Sequence, residues 1–81
     1  MYLQHCSYEE SYEGEDNQHF YTFTGPCVVT GELHSVKVKG PDLFKYQHGG
    51  RISECFPYLS VGDREFIISG TSPDGWDEMF G

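Results

Sequence analysis

Residues 33–39, Leu-His-Ser-Val-Lys-Val-Lys, alternate with the period of two that marks a half-buried strand. His34, Val36 and Val38 share one face; Leu33, Ser35, Lys37 and Lys39 share the other. A strand of this kind must pair along its edge and be covered on its apolar face, which limits what the rest of the chain can do. The pairing partner precedes it. His19-Phe20-Tyr21-Thr22-Phe23-Thr24 is rich in aromatic and β-branched residues, and Cys27-Val28-Val29-Thr30 resumes the pattern after Gly25-Pro26, which reads as a bulge or edge kink. Gly31-Glu32 reads as a two-residue turn with Gly first, as a type II′ turn requires. The expectation is a hairpin over residues 20–39.

The cover follows it. Gly40-Pro41 stops the strand, because proline cannot donate to the ladder. Pro41–His48 reads as a short helix with Pro in the first turn, Asp42 at the positive N-terminal end and Gly49-Gly50 as the stop. Pro57 forces a boundary near Phe56, so residues 51–59 read as one short turn. Ser60 has the character of an N-cap, accepting from the Asp63 amide with Asp63 as its capping-box partner, before a helix over 61–69 that ends at Gly70. The competing reading is a strand over 65–69, since Phe66-Ile67-Ile68 is rich in β formers; the cap and the terminal glycine favour the helix. Ser72-Pro73-Asp74 starts a last turn that sets Trp76, Met79 and Phe80 on one apolar side, and Trp76 is expected to fold back onto the domain. The fold class is therefore α+β: a small antiparallel hairpin or sheet packed against two or three short helices. The expected core is Phe20 or Tyr21, Val28, Val36, Val38, Leu43, Phe44, Ile52, Phe56, Leu59, Phe66, Ile67 and Trp76.

Residues 1–18 lack this patterning. They hold Glu9, Glu10, Glu13, Glu15 and Asp16 with no Lys or Arg, although Tyr2–Cys6 has some strand alternation and Tyr8 and Tyr12 would share a face if helical. They read as an acidic, Tyr-rich N-terminal arm, a mobile loop outside a single α+β domain over 19–81. The C-terminal third is also acidic, so two acidic ends flank a weakly basic middle, and the 81-residue chain has a net charge of −8. Direct nucleic-acid binding is disfavoured, because phosphate recognition needs clustered cations. An acidic surface suits a basic protein partner or imitation of a phosphate backbone, or serves solubility alone.

Catalytic and metal chemistry find little support. Cys6, Cys27 and Cys55 are odd in number and widely spaced. No Cys pair has C-x₂₋₄-C spacing, and adjacent His5-Cys6 is a poor geometry for one tetrahedral zinc. The expectation is three reduced thiols, with Cys27 and Cys55 in the core, and no metal or other cofactor. Cys27 and His34 are able to face each other across the hairpin, as any cross-strand pair is, but no Gly-x-Ser-x-Gly elbow or phosphate loop accompanies them. The start of the chain has neither the basic nor the apolar part of a signal peptide, and no run approaches a membrane span. A cytoplasmic protein that is not an enzyme is expected.

The motif F-P-x-L-S-x-x-x-R-E-F-x-I-S-G-x-x-P-x-x-W-D-x-M-F runs from Phe56 to Phe80 through Pro57, Leu59, Ser60, Arg64, Glu65, Phe66, Ile68, Ser69, Gly70, Pro73, Trp76, Asp77 and Met79. It resembles the tail of a group of short proteins carried by bacteriophages and mobile elements. With Leu43–Tyr46 and the Gly pair, the likeness covers about the last 40 residues and leaves the acidic arm outside. It implies a phage or mobile-element origin and no catalytic activity. Some relatives carry a C-P-x-C pair where this chain has Ser72 and Gly75, so no metal role carries over.

Binding is the function these readings leave. The leading expectation is a phage-encoded inhibitor of a host defence or nucleic-acid-handling protein, anti-CRISPR-like, that blocks a basic groove in the host cytoplasm. Its acidic surface would be Glu9, Glu10, Glu13, Glu15, Asp16, Asp74, Asp77 and Glu78, with Tyr8 and Tyr12 as aromatic anchors. The alternatives are an accessory interaction module acting through a sheet edge or the Trp76 tail, and a small enzyme.

Overall fold

The computed structural model describes residues 1–81. A 3-10 turn, Tyr2–His5, leads into strands β1 (Ser7–Glu13), β2 (Gln18–Pro26) and β3 (Leu33–Lys39). Four short helices follow: α1 (Gly40–Gln47), α2 (Ile52–Cys55), α3 (Val61–Ser69) and α4 (Pro73–Phe80). The strands form one antiparallel sheet in the order β1-β2-β3, and the fold is α+β.

The sheet has one covered and one open face. Across β2 and β3, Phe23 lies opposite Val36 and Tyr21 opposite Val38. Phe23, Val36 and Val38 are buried, and Leu43 of α1, Cys55 of α2, Phe56, Phe66 and Ile67 of α3, and Leu3 of the first turn close over them. Tyr2, Cys6, Tyr21, Tyr46, Ile52 and Leu59 pack around this cluster. The alternation in β3 thus places its two valines under the helices, as its period demands. No helix in the fold is long and apolar enough to cross a membrane.

Local signals position the helices. Ser60 Oγ accepts from the Asp63 amide at 3.1 Å and starts α3, and Gly70 ends it at φ +83°, in the left-handed region that favours glycine. Ser72 Oγ accepts from the Gly75 amide at 3.2 Å and starts α4. The Tyr58 hydroxyl accepts from the Lys39 amide at 2.9 Å and donates to Asp42 at 3.0 Å, which ties the entry of α1 to the loop before α3. Burial, the larger influence, and the Asp42 carboxylate together push the Tyr58 phenol up to about 12 against the opposing pull of the Lys39 amide.

Several expectations change. Residues 7–13 are not an arm outside the domain: they form β1, paired with β2 from Ser7 opposite Thr24 to Glu13 opposite Gln18. The reason is cross-strand packing, since Tyr8 and Tyr12 gain aromatic partners on β2. Residues 2–5 curl into a 3-10 turn rather than a strand, which drops Leu3 into the core. Gly25-Pro26 carries no bulge, because the register runs unbroken to Pro26 opposite Leu33. The small residue is needed for close approach: a Cβ on Gly25 would lie 2.6 Å from Cys6 Sγ. The hairpin connection is longer than two residues. The Cys27 amide bonds to the Glu32 carbonyl and the Gly31 amide to the Cys27 carbonyl, so Val28 sits in the loop at 59% exposure. Phe44 is exposed on α1, its ring tilted against that of His48 with centres 4.0 Å apart. Phe20 lies on the open face and Tyr21 on the covered one. Trp76 is half-buried between α3 and α4 and stacks on Phe80, outside a core that Phe56, Phe66 and Ile67 already fill.

Candidate binding surface

Strand period places alternate residues of β1 and β2 on the covered side of the sheet. There Tyr8, Glu10 and Tyr12 lie opposite Phe23, Tyr21 and His19. The helices close over the part of this face around Phe23, Val36 and Val38, and an aromatic row runs from there along β1 and β2 to Tyr12. Tyr12 stacks on His19 with ring centres 4.8 Å apart and planes 8° from parallel. His19 meets Tyr21 at 4.5 Å, and Tyr8 rests edge-on against Tyr21 at 5.7 Å. Tyr8 and Tyr12 themselves are 60% and 64% exposed.

Glu10 stands in the middle of the row. Its carboxylate lies 3.4 Å from His19 Nε2, out of hydrogen-bond geometry, and that nitrogen is buried without a hydrogen-bond partner. The neighbouring Tyr21 phenol is pushed up, chiefly by the Glu10 carboxylate as an acceptor for its proton, then by burial and by that carboxylate's charge. Two grooves flank the row. One of about 240 Å³ is lined by Tyr8, Tyr21, Phe23, Leu43 and Gln47, and one of about 280 Å³ by Gln18, His19, Lys39 and Pro41.

The opposite face of the hairpin is charged. Glu13 pairs with Lys37 at 2.5 Å across β2, and Ser11 donates to the same carboxylate at 2.9 Å. The hydrogen bond from Lys37, then that from Ser11, holds the Glu13 carboxyl below its usual range. Asp16 accepts from the Gln18 side chain at 3.0 Å in the turn that joins β1 to β2. Glu9 lies opposite Thr22 on this face, and Glu15 is exposed in the turn.

The expected acidic surface therefore divides in two. Glu9, Glu10, Glu13, Glu15 and Asp16 gather on the β1–β2 hairpin together with Tyr8 and Tyr12. Asp74, Asp77 and Glu78 lie exposed on α4, which approaches Cys27 and Val29 beyond the far end of β2. β2 spans about 27 Å at 3.4 Å per residue, with Glu13 beside Gln18 at one end, Glu9 beside Thr22 at its middle, and α4 beyond the other end. His19 and Tyr21 are the contributors missing from the sequence-based set. The period of two that puts His19, Tyr21 and Phe23 on one face was the signal for them.

The other polar side chains pair locally. His34 Nε2 bonds to Asp63 Oδ1 at 2.8 Å, so Asp63 serves His34 rather than closing a capping box, and the imidazole rests edge-on against Phe66. Cys27 is engaged elsewhere: the Ser72 amide donates to its Sγ at 3.3 Å. Burial alone would push that thiol up, but hydrogen bonds from the Ser72 hydroxyl and amide and from Thr30 outweigh it and bring the pKa down from 9.0 to about 6. Cys27 and His34 thus have different partners and form no dyad. All three cysteines are free, and no group of three His, Cys, Asp or Glu side chains is placed to share a metal ion. No protein-family model, curated protein or solved structure matches the chain.

Proposed function

We propose that this is a small acidic binding protein whose β1–β2 hairpin seats on a cationic face of a protein partner. One observation carries the reading: two exposed tyrosines, Tyr8 and Tyr12, stand on either side of Glu10 on one face of the hairpin. Aromatic rings held by their neighbours lose little entropy on docking, and carboxylates beside them select Lys and Arg. The elongated shape, 40 × 23 × 20 Å, suits insertion into a groove. In its specific form the proposal is a phage-encoded inhibitor of a host defence or nucleic-acid-handling protein, anti-CRISPR-like, that occupies a basic groove in place of nucleic acid. The small size, the net charge of −8 and the C-terminal phage-like motif support that form. Binding, not turnover, is the proposed activity.

A second reading has its own observation. Val61, Gly62, Glu65, Pro73, Trp76 and Asp77 line a groove of about 390 Å³, and Phe80 beside it is exposed. An accessory module docking through Trp76 and Phe80 at this end would tolerate salt.

The test uses a partner captured from host lysate and then purified. Two charge-reversal sets, Glu9/Glu10/Glu13 and Asp74/Asp77/Glu78, are compared for affinity at low and high salt, with circular dichroism as the check on folding. The hairpin set should abolish binding, and wild-type affinity should fall steeply with salt. If neither set weakens binding, the acidity serves solubility and the proposal fails.

A further inference from the structure

β1 is an edge strand: its only neighbour in the sheet is β2, and six of its seven residues are exposed. Alternate residues of such a strand direct their N–H and C=O groups outward, unpaired, as a template for another strand. Edges are usually blunted by proline, by a bulge, by lysine or by a covering loop. β1 has no proline, glycine or lysine, and its register with β2 is unbroken over all seven residues. The other edge differs, since on β3 the Tyr58 hydroxyl occupies the Lys39 amide.

Charge is the one device that guards β1. Glu9 and Glu13 stand on one face and Glu10 on the other, with no cation in the strand. Two copies paired antiparallel over the full length of β1 would set Glu10 directly against Glu10 and gather six glutamates with no cation in either strand, a repulsive arrangement. An incoming strand with Lys or Arg would meet carboxylates on whichever face its side chains pointed. On the aromatic face it would also meet Tyr8 and Tyr12, placed to take a cation against a ring. The edge therefore rejects its own kind and admits a cationic strand.

We propose that β1 receives an extended, Lys/Arg-bearing segment of a partner protein as a fourth strand of the sheet. Backbone hydrogen bonds supply the pairing, while Glu9, Glu10, Glu13, Tyr8 and Tyr12 select the sequence. The inference rests on the acidic-hairpin reading above and adds the mode of engagement: an edge that pairs, not only a face that attracts.

The experiment titrates the full-length, ¹⁵N-labelled protein with four synthetic peptides of equal length. The first alternates Lys and Thr. The second replaces every Lys by Glu, and the third replaces every Lys by Ser. The fourth is the Lys peptide methylated at alternate backbone nitrogens, which keeps the charge and removes strand pairing. The Lys peptide should bind, shift alternate amides within residues 7–13 and slow their exchange. The methylated peptide should bind about tenfold or more weaker, through loss of backbone hydrogen bonds. Glu9→Lys should also weaken the Lys peptide, while the Glu and Ser peptides should not bind.

Equal affinity for the methylated peptide, with no alternating pattern in β1, overturns strand addition and leaves the acidic-face reading intact. Equal affinity for the Ser peptide overturns the charge selection on which both rest. If no peptide binds, strand addition fails, and the charge-reversal experiment decides the acidic-face reading separately. Concentration-dependent self-association that protects the same alternate amides identifies a second copy as the occupant and overturns the cationic partner.

Discussion

Gly70→Ala probes the point where three separate parts of the chain meet. Gly70 ends α3 at φ +83°, and its carbonyl accepts from the Val28 amide at 3.0 Å, joining the helix to the β2–β3 loop. A Cβ there would lie 2.6 Å from Cδ1 and Cε1 of Tyr2, against a normal carbon–carbon contact of about 3.5–4.0 Å. Two costs follow. The left-handed backbone costs an alanine about 1–2 kcal/mol. The Tyr2 ring must also leave, losing its edge contact with Phe66, worth about 0.5–1.5 kcal/mol, and its hydroxyl bond to the Pro26 carbonyl, worth about 1 kcal/mol. The expected total is about 3–4 kcal/mol. In urea, with a slope of about 1 kcal/mol per molar for a small domain, the midpoint should fall by about 3 M. A double-mutant cycle separates the terms. In a Tyr2→Ala background the clash is absent, so adding Gly70→Ala should cost only the backbone share, leaving a coupling of about 2 kcal/mol. Urea unfolding of the four proteins, followed by far-UV circular dichroism, measures it. Additive effects, or a Gly70→Ala cost below about 1 kcal/mol, would falsify the argument that Tyr2 packs where the Cβ would go.

Ser60→Ala should cost about 1 kcal/mol in the same assay, because it removes the acceptor for the Asp63 amide at the start of α3. Phe23→Ala should cost about 3–5 kcal/mol, as for a buried aromatic, whereas Val28→Thr should stay within about 0.5 kcal/mol because Val28 is exposed. Cys27 predicts a pH dependence of stability. Its thiol is depressed to about 6 in the fold from 9.0, so the unfolded chain binds the extra proton between those values and stability from this site rises with pH. That contribution is complete above about pH 9 and lost as pH falls through about 6, so the melting-temperature gap between the protein and Cys27→Ser should widen from pH 6 to pH 9; a gap independent of pH would remove the thiolate from the account.

The sequence by itself determined the elements whose signals are local. Ser60 and Gly70 bound α3 where the cap and stop chemistry put them, and the helix prevailed over a strand at 65–69 for that reason. The period of two at 33–39 delivered β3 with Val36 and Val38 under the helices. These features depend on a residue and its neighbours within one turn or one pleat, so they are written in short words.

Tertiary structure decided what depends on distant partners. Nothing in Ser-Tyr-Glu-Glu-Ser-Tyr-Glu marks a strand, because its outward residues are acids and its aromatics look idle until β2 supplies His19, Tyr21 and Phe23 beside them. That pairing turned an expected loop into the edge of the sheet. It also assembled most of the candidate surface, whose acids were legible as composition but not as two groups set apart along β2. Cys27 meets Ser72 across 45 positions, and His34 meets Asp63 across 29. Such contacts have no local pattern to announce them, because they form only after hairpin and helices have docked, when burial removes water as the competing partner.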